Sequence, residues 1–133
     1  MKWLLLLLLA LPALAGGVED QASEFRRLRE VKGHFQGGPE WIADVDTYGG
    51  RKHVLMQSLA AALAKSSAAR VLELLGEADA KAEPGSPLWA QVRATETGAY
   101  LLIYRWRGNH DFLYFLVDGS GHVARSSWWM AYE

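Results

Sequence analysis

Apolar residues recur with helical spacing in the first half of this chain and with the spacing of strands in its last third. Leu55, Leu59 and Leu63 lie four residues apart, whereas aromatic and branched residues dominate 100–107 and 111–118. Helices followed by strands are typical of α+β folds, since doubly wound sheets alternate the two elements. The pattern therefore predicts an α+β fold in which two to three N-terminal helices pack on one face of a three- to four-stranded antiparallel meander sheet.

Spacing and turn residues place the individual elements. The predicted helices are 18–35, 51–64 and a short third segment that ends at Gly76, with Val71, Leu72 and Leu75 on its inner side. The predicted strands are 88–94, 100–107, 111–118 and 122–130, the last three joined by short turns. A polar loop with the aromatic anchors Trp41 and Tyr48 is predicted over 40–50, and a mobile connection over 77–87.

The N-terminus has the three parts of a secretory signal. Lys2 precedes an apolar run from Leu4 to Leu11, and Ala13-Leu14-Ala15 provides an A-x-A cleavage site. The run is shorter than the roughly 20 apolar residues that span a membrane. We therefore expect residues 1–15 to be a cleaved signal peptide and residues 16–133 to form a single domain, periplasmic or secreted, that does not insert into a membrane.

Composition excludes several classes of function. The chain has no cysteine, which excludes disulfides, thiol catalysis and a lipid anchor at a cysteine. Its formal net charge of −1 favours no nucleic-acid partner, because such partners require a basic excess. The six tryptophans are many for this length, and we expect most of them to fill the core. No cofactor is predicted.

Part of the C-terminal half resembles a known family of envelope domains. The stretch Val71-Leu-Glu-Leu-Leu-Gly-Glu-Ala-Asp79, the strand Tyr100-Leu-Leu-Ile-Tyr-Arg-Trp106 and a hairpin turn at Asp118-Gly119 resemble the SmpA/OmlA, or BamE-like, domain. The resemblance implies two helices packed on a three-stranded antiparallel sheet, in an exported, non-enzymatic domain that binds other proteins. Ala78 stands where the family usually has proline, and the lipobox cysteine of its lipoproteins is lacking.

Titratable residues cluster outside that resemblance, in the segment from His34 to His53. Such a cluster is suited to a hard metal or to a phosphate-type ligand, but its spacing matches no metal motif, and no metal site is predicted. Gly49-Gly50 before two cations at a helix start fits anion capture, with a simple glycine entry to the helix as the alternative. Asp46 or Thr47 is also placed to cap that helix. The candidate binding residues are His34, Asp44, Asp46, Arg51, Lys52 and His53.

A second polar cluster lies at one hairpin end. Alternation places Tyr100, Leu102, Tyr104 and Trp106 on one face of their strand and Leu101, Ile103, Arg105 and Arg107 on the other. Trp128 and Trp129 must likewise split between the faces, which predicts an outer surface of Arg105, Arg107 and Trp129, with cover of that face by the first helix as the alternative. His110 and Asp111 point to opposite faces and so form no catalytic pair, and no catalytic residue is predicted.

Two functions from different classes follow. The first is an exported non-enzymatic binding module that contacts another cell-envelope protein through the open sheet face or the polar loop. The second is a small envelope enzyme or anion-binding protein that uses the residues at 34–53 together with His110. Convergence of His34, Asp44, Arg51, His53 and His110 on one concavity would favour the second.

Overall fold

A computed structural model of the chain describes residues 16–92 and 98–131, and the predicted signal peptide lies outside them. The helices are α1 (Val18–Arg29), α2 (Ala43–Asp46), α3 (Arg51–Ala62), α4 (Ala68–Leu75) and α5 (Pro87–Gln91), with a 3-10 turn at His34–Gln36. The strands β1 (Ala80–Ala82), β2 (Tyr100–Arg107), β3 (Asp111–Val117) and β4 (Val123–Trp129) form one antiparallel sheet in that order. The predicted α+β class is confirmed. Within the described ranges, no helix has the length and apolar character needed to cross a membrane.

The main core lies between the longer helices and one face of the sheet. Phe25 of α1 and Leu59 of α3 are buried there against Tyr104 of β2. Leu55, Leu59 and Leu63 are all buried, as their spacing predicts. Each fully buried leucine of this kind stabilises the fold by about 1.5–3 kcal/mol.

The opposite face of the sheet is buried as well. Leu101 and Ile103 of β2 lie there with Phe112 of β3, and Leu88 and Trp89 near the start of α5 pack against them. The predicted alternation of β2 is confirmed for its apolar residues, since Leu102, Tyr104 and Trp106 lie in the other, helix-facing core. Trp128 and Trp129 split between the two layers, also as predicted. This face is therefore a second packing layer rather than an open apolar surface.

The first helix is shorter than its sequence pattern predicts. It ends at Arg29, and the N–H of Glu30 turns back to bond the carbonyls of Arg27 and Leu28. Arg29 then donates from Nη1 to the carbonyl of Leu75 at 2.7 Å, at the end of α4. The end of α1 is thus joined to the end of α4 by a hydrogen bond that the spacing of apolar residues does not encode.

Three predictions around residues 72–94 are wrong. Segment 77–87 is not a mobile connection, because β1 pairs with β2 and Ala82 lies opposite Leu101. Residues 87–91 form a helix rather than a strand, since Ser86 Oγ accepts a hydrogen bond from the N–H of Trp89 and a proline starts the helix; residues 93–94 of that predicted strand lie outside the described residues. Leu72 is 41% exposed instead of facing the core.

Candidate functional site

Asp46 organises the loop between α1 and α3. Its side chain is buried, and its carboxylate accepts hydrogen bonds from the backbone N–H groups of His34 (2.8 Å), Phe35 (3.4 Å) and Ile42 (2.7 Å). Gly33 lies so close that a Cβ there would overlap the Asp46 carboxylate, so the close approach requires glycine. The predicted capping role is wrong, because Gly50 is the N-cap of α3 and no side chain caps it. Asp46 holds two distant parts of the loop together instead.

Arg107 fastens this loop to the β2–β3 hairpin. Its Nε lies 3.0 Å from Asp111 Oδ2, and its Nη1 donates to the Asp46 carbonyl at 2.6 Å. The guanidinium also lies over the rings of Phe35 and Trp106, at 4.3 and 4.2 Å from their centroids. A register shift between Arg105 and Arg107 breaks the alternation of β2 there. The prediction that Arg107 shares an outer surface with Arg105 and Trp129 is therefore wrong.

His53 is packed in an aromatic cluster under the loop. Its ring stacks on Trp106 at 4.3 Å between centroids and contacts Tyr48 and Trp128 at 4.8 and 5.0 Å. Its Nδ1 accepts a hydrogen bond from the N–H of Gly49 at 2.9 Å. Burial lowers the pKa of His53, and the nearby Arg107 guanidinium lowers it further. His53 is thus a neutral packing residue that accepts a loop hydrogen bond.

The lowered pKa of His53 makes the stability of the fold depend on pH. In the unfolded chain His53 binds a proton more readily than in the folded protein, so the free energy of unfolding falls as the pH drops below about 6.5. We expect His53→Gln, which keeps a hydrogen-bond acceptor, to flatten this fall in urea unfolding curves recorded between about pH 5 and pH 7. Equal pH dependence in the two proteins would contradict this role.

The other candidates from the 34–53 segment do not converge. Arg51 forms two hydrogen bonds with Glu24, at 2.8 and 2.6 Å, so its guanidinium is held on α1. His34 and Asp44 are exposed. The N–H groups of Gly49 and Gly50 bond His53 Nδ1 and the carbonyl of Thr47. These two N–H groups are therefore not available to an anion, and the predicted anion cradle at the start of α3 is wrong for them. Of the residues predicted for this segment, Lys52 has still to be described.

The hairpin candidates lie in two different places. His110 is exposed and lines a groove of about 240 Å³ with Arg107 and Asp111. Arg105 and Trp129 lie on one sheet face, as their alternation predicts, with Phe112 of β3 between them. Neither His34 nor His53 lines the His110 groove. In the part of the chain that the structure describes, no group of three or more His, Asp or Glu side chains is placed to hold a metal ion.

Lys52 lies deeper than a lysine at a helix start is expected to lie. The residue is only 1% exposed, and it lines a cavity of about 280 Å³ between the 3-10 turn and the hairpin end. Arg29, Gln36, Asp79, Arg105 and Asn109 line the same cavity. Burial lowers the pKa of Lys52 to about 8, with Asp79 acting in the opposite direction. Lys52 and Arg105, two candidates that the sequence places in separate clusters, both line this cavity. Arg105 lies opposite Phe112 of β3, however, on the sheet face that points away from the longer helices.

Two aromatic residues of the loop are the most exposed large apolar side chains described. Trp41 is 55% and Tyr48 66% exposed. Trp41 still packs edge-on against Phe35 at 5.5 Å and donates from Nε1 to Thr47 Oγ1 at 3.1 Å. The sequence predicts both as anchors of the loop, and their partial packing agrees with this, but it does not single out either as a candidate site residue. The signal for a surface role was two large aromatics in an otherwise polar loop.

Comparison of the chain with protein-family models, with curated proteins and with solved structures gives no significant match.

Proposed function

We propose that this chain is an exported, non-enzymatic binding module that contacts another protein of the cell envelope. Export is supported by the arrangement of Lys2, the leucine-rich run and the cleavage motif ending at Ala15. The resemblance to BamE-like domains supports the proposal further, because helices precede an antiparallel sheet in both, although the sheet here has four strands rather than three. The protein then acts in the periplasm or after secretion.

The exposure of Trp41 and Tyr48 carries the binding proposal. We call these two side chains, with the exposed carboxylates Glu40 and Asp44 of the same loop, the aromatic loop surface. Tryptophan and tyrosine dominate the binding energy of protein interfaces because they bury a large area and have few rotatable bonds. The two carboxylates indicate a partner surface that is both apolar and basic.

The loop is also held in place before any partner binds. Asp46 ties its two ends together, and Arg107 ties it to the sheet. A surface ordered in advance loses less conformational entropy on association, so more of the contact free energy appears as affinity. The hydrogen bonds of Asp46 therefore serve binding indirectly, by positioning the aromatic loop surface.

Site-specific photo-crosslinking in cells of the source organism tests the proposal. A photoreactive phenylalanine analogue at position 41 or 48 is expected to give one discrete adduct with an envelope protein. The matched control is position 72, where Leu72 is 41% exposed on another element. The adduct formed at position 41 should disappear when Tyr48→Ala is added, because the two side chains share the partner. No adduct, or the same adduct from position 72, would overturn the proposal.

A further inference from the structure

The buried ring of His53 holds the tip of the loop between α2 and α3 in place. We call Tyr48 and Gly49 the loop tip. His53 is only 2% exposed, whereas Tyr48 is 66% exposed. The ring of Tyr48 packs on the imidazole at 4.8 Å between centroids, and the N–H of Gly49 donates to His53 Nδ1 at 2.9 Å. The position of Tyr48 therefore depends on the His53 ring beneath it.

The hydrogen bond from Gly49 requires a neutral His53. A ring nitrogen that accepts a hydrogen bond carries no proton, and in the imidazolium both nitrogens carry one. The proton of the neutral ring therefore lies on Nε2, beside the side-chain amide of Gln57. A second proton, on Nδ1, would point at the N–H of Gly49, and the two donors would repel each other.

The surroundings of the ring also disfavour a positive charge on it. The guanidinium of Arg107 on β2 lies 4.2 Å from the centroid of Trp106, the ring on which His53 stacks. Burial and Arg107 both lower the pKa of His53, while Asp111 of β3, the ion-pair partner of Arg107, acts in the opposite direction. The other side chains described in contact with the ring are uncharged, and they are Tyr48, Gln57, Trp106 and Trp128. A proton on His53 is therefore held better once the ring is exposed to water.

The loop tip can move without the rest of the loop. Across residues 16–92 and 98–131, the bond from Gly49 to His53 is the one hydrogen bond that the tip makes. Thr47, just before the tip, keeps its own hydrogen bonds to residues that precede it. Gly49 and Gly50 give the backbone conformational freedom at the other end of the tip. Opening of the tip thus breaks one hydrogen bond and the ring contacts of the tyrosine, and it leaves the hydrogen bonds of Asp46 intact.

We infer that acid opens the loop tip: protonation of His53 releases the N–H of Gly49, and Tyr48 moves off the imidazole. The aromatic loop surface then loses one of its two large side chains, so it binds its partner only while His53 is neutral. This consequence for binding rests on the proposed function, whereas the opening of the tip requires no partner. Because the closed tip disfavours the proton, each pH unit below about 6.5 raises the open population by up to about tenfold.

Amide hydrogen exchange of the isolated mature protein at about pH 7 and about pH 5 tests the opening. The protection factor, which removes the intrinsic pH dependence of exchange, is expected to fall at least about fivefold for Gly49. The protection factor of Ile42, whose N–H bonds Asp46 in the same loop, should change by less than about twofold. Constant protection of Gly49 would overturn the proposal. So would an equal loss at both amides, because the whole loop would then unfold.

Matched histidine variants assign the opening to His53. His53→Gln keeps a hydrogen-bond acceptor that does not titrate near neutral pH, so the protection of Gly49 should no longer depend on pH. His122→Gln, which changes an exposed histidine between β3 and β4, should respond as the wild type does. An unchanged pH response in folded His53→Gln would refute the role of this ring. Should that variant fail to fold, the comparison of Gly49 with Ile42 in the wild-type protein decides alone.

Photo-crosslinking in isolated cell envelopes at the same two pH values tests the consequence for binding. The adduct formed from position 41, which leaves Tyr48 in place, is expected to fall at least about fivefold at the lower pH and to stay constant in His53→Gln. An equal adduct at both pH values, while Gly49 loses protection, would overturn the control of binding. No adduct at the higher pH would be the failure of the proposed function instead, and hydrogen exchange of the free protein would still decide whether the tip opens.

Discussion

Asp46→Ala should lower the free energy of unfolding by about 3–5 kcal/mol, measured by urea denaturation at neutral pH. The substitution leaves the N–H groups of His34, Phe35 and Ile42 without their acceptor in a partly buried loop. A buried donor that loses its partner costs about 1–3 kcal/mol, and water entering the loosened loop would recover part of the sum. Since small domains are stable by only about 5–15 kcal/mol, this is a large fraction of the total.

Two variants of the same loop serve as comparisons. Asp44→Ala removes an exposed carboxylate two residues away and should change stability by no more than about 0.5 kcal/mol. Asp46→Asn keeps one side-chain oxygen as an acceptor and should fall between Asp46→Ala and the wild type. If Asp46→Ala costs less than about 1 kcal/mol, the carboxylate does not organise the loop.

Arg107→Ala should destabilise the fold by about 3–5 kcal/mol, because it removes one partner of a buried ion pair. The side chains of Arg107 and Asp111 are 12% and 9% exposed, so the Asp111 charge would remain in a poorly hydrated site. The loop would also lose its hydrogen bond from Arg107 to the Asp46 carbonyl. Thermal and urea unfolding both measure this loss.

Further variants separate the contribution of the Arg107 charge from that of its hydrogen-bond geometry. Arg107→Lys keeps the charge, but an ammonium group cannot contact both Asp111 and the Asp46 carbonyl as the planar guanidinium does. This variant should therefore recover only part of the stability. Arg105→Ala, two residues away with no hydrogen bond from its guanidinium to the described residues, should cost far less. Similar losses for Arg105→Ala and Arg107→Ala would show that Arg107 has no special role.

The elements that the sequence predicts correctly are those with a sustained period. The stripe Leu55, Leu59 and Leu63 marks the buried side of α3, and the alternation of β2 assigns its apolar residues to two layers. Both patterns arise because one side of the element is buried along its whole length. Three residues are too few to show an alternating pattern, so β1 (Ala80–Ala82) could not be predicted from the sequence. The Ser86-Pro87 start of α5 could have been recognised, because a serine cap before a proline is a helix signal.

The candidate site was less predictable, since its roles depend on contacts between distant residues. Asp46 bonds an N–H twelve positions earlier, and Arg107 reaches a carbonyl 61 positions earlier. The shift in strand register that turns Arg107 toward the loop leaves no mark on the sequence pattern. An arginine and a lysine side by side at a helix start would both be expected to be exposed to solvent. Only the folded structure shows that Arg51 pairs with Glu24 while Lys52 is buried.

The proposed binding role requires a loop that Asp46 orders in the free protein, so that Trp41 and Tyr48 are presented in fixed positions. Amide hydrogen exchange of the isolated mature protein measures this order directly. The N–H groups of His34 and Ile42 are predicted to be protected by at least about 100-fold, and to lose that protection in Asp46→Ala but not in Asp44→Ala. Exchange of both amides at the rate of an unstructured peptide in the wild-type protein would contradict the account.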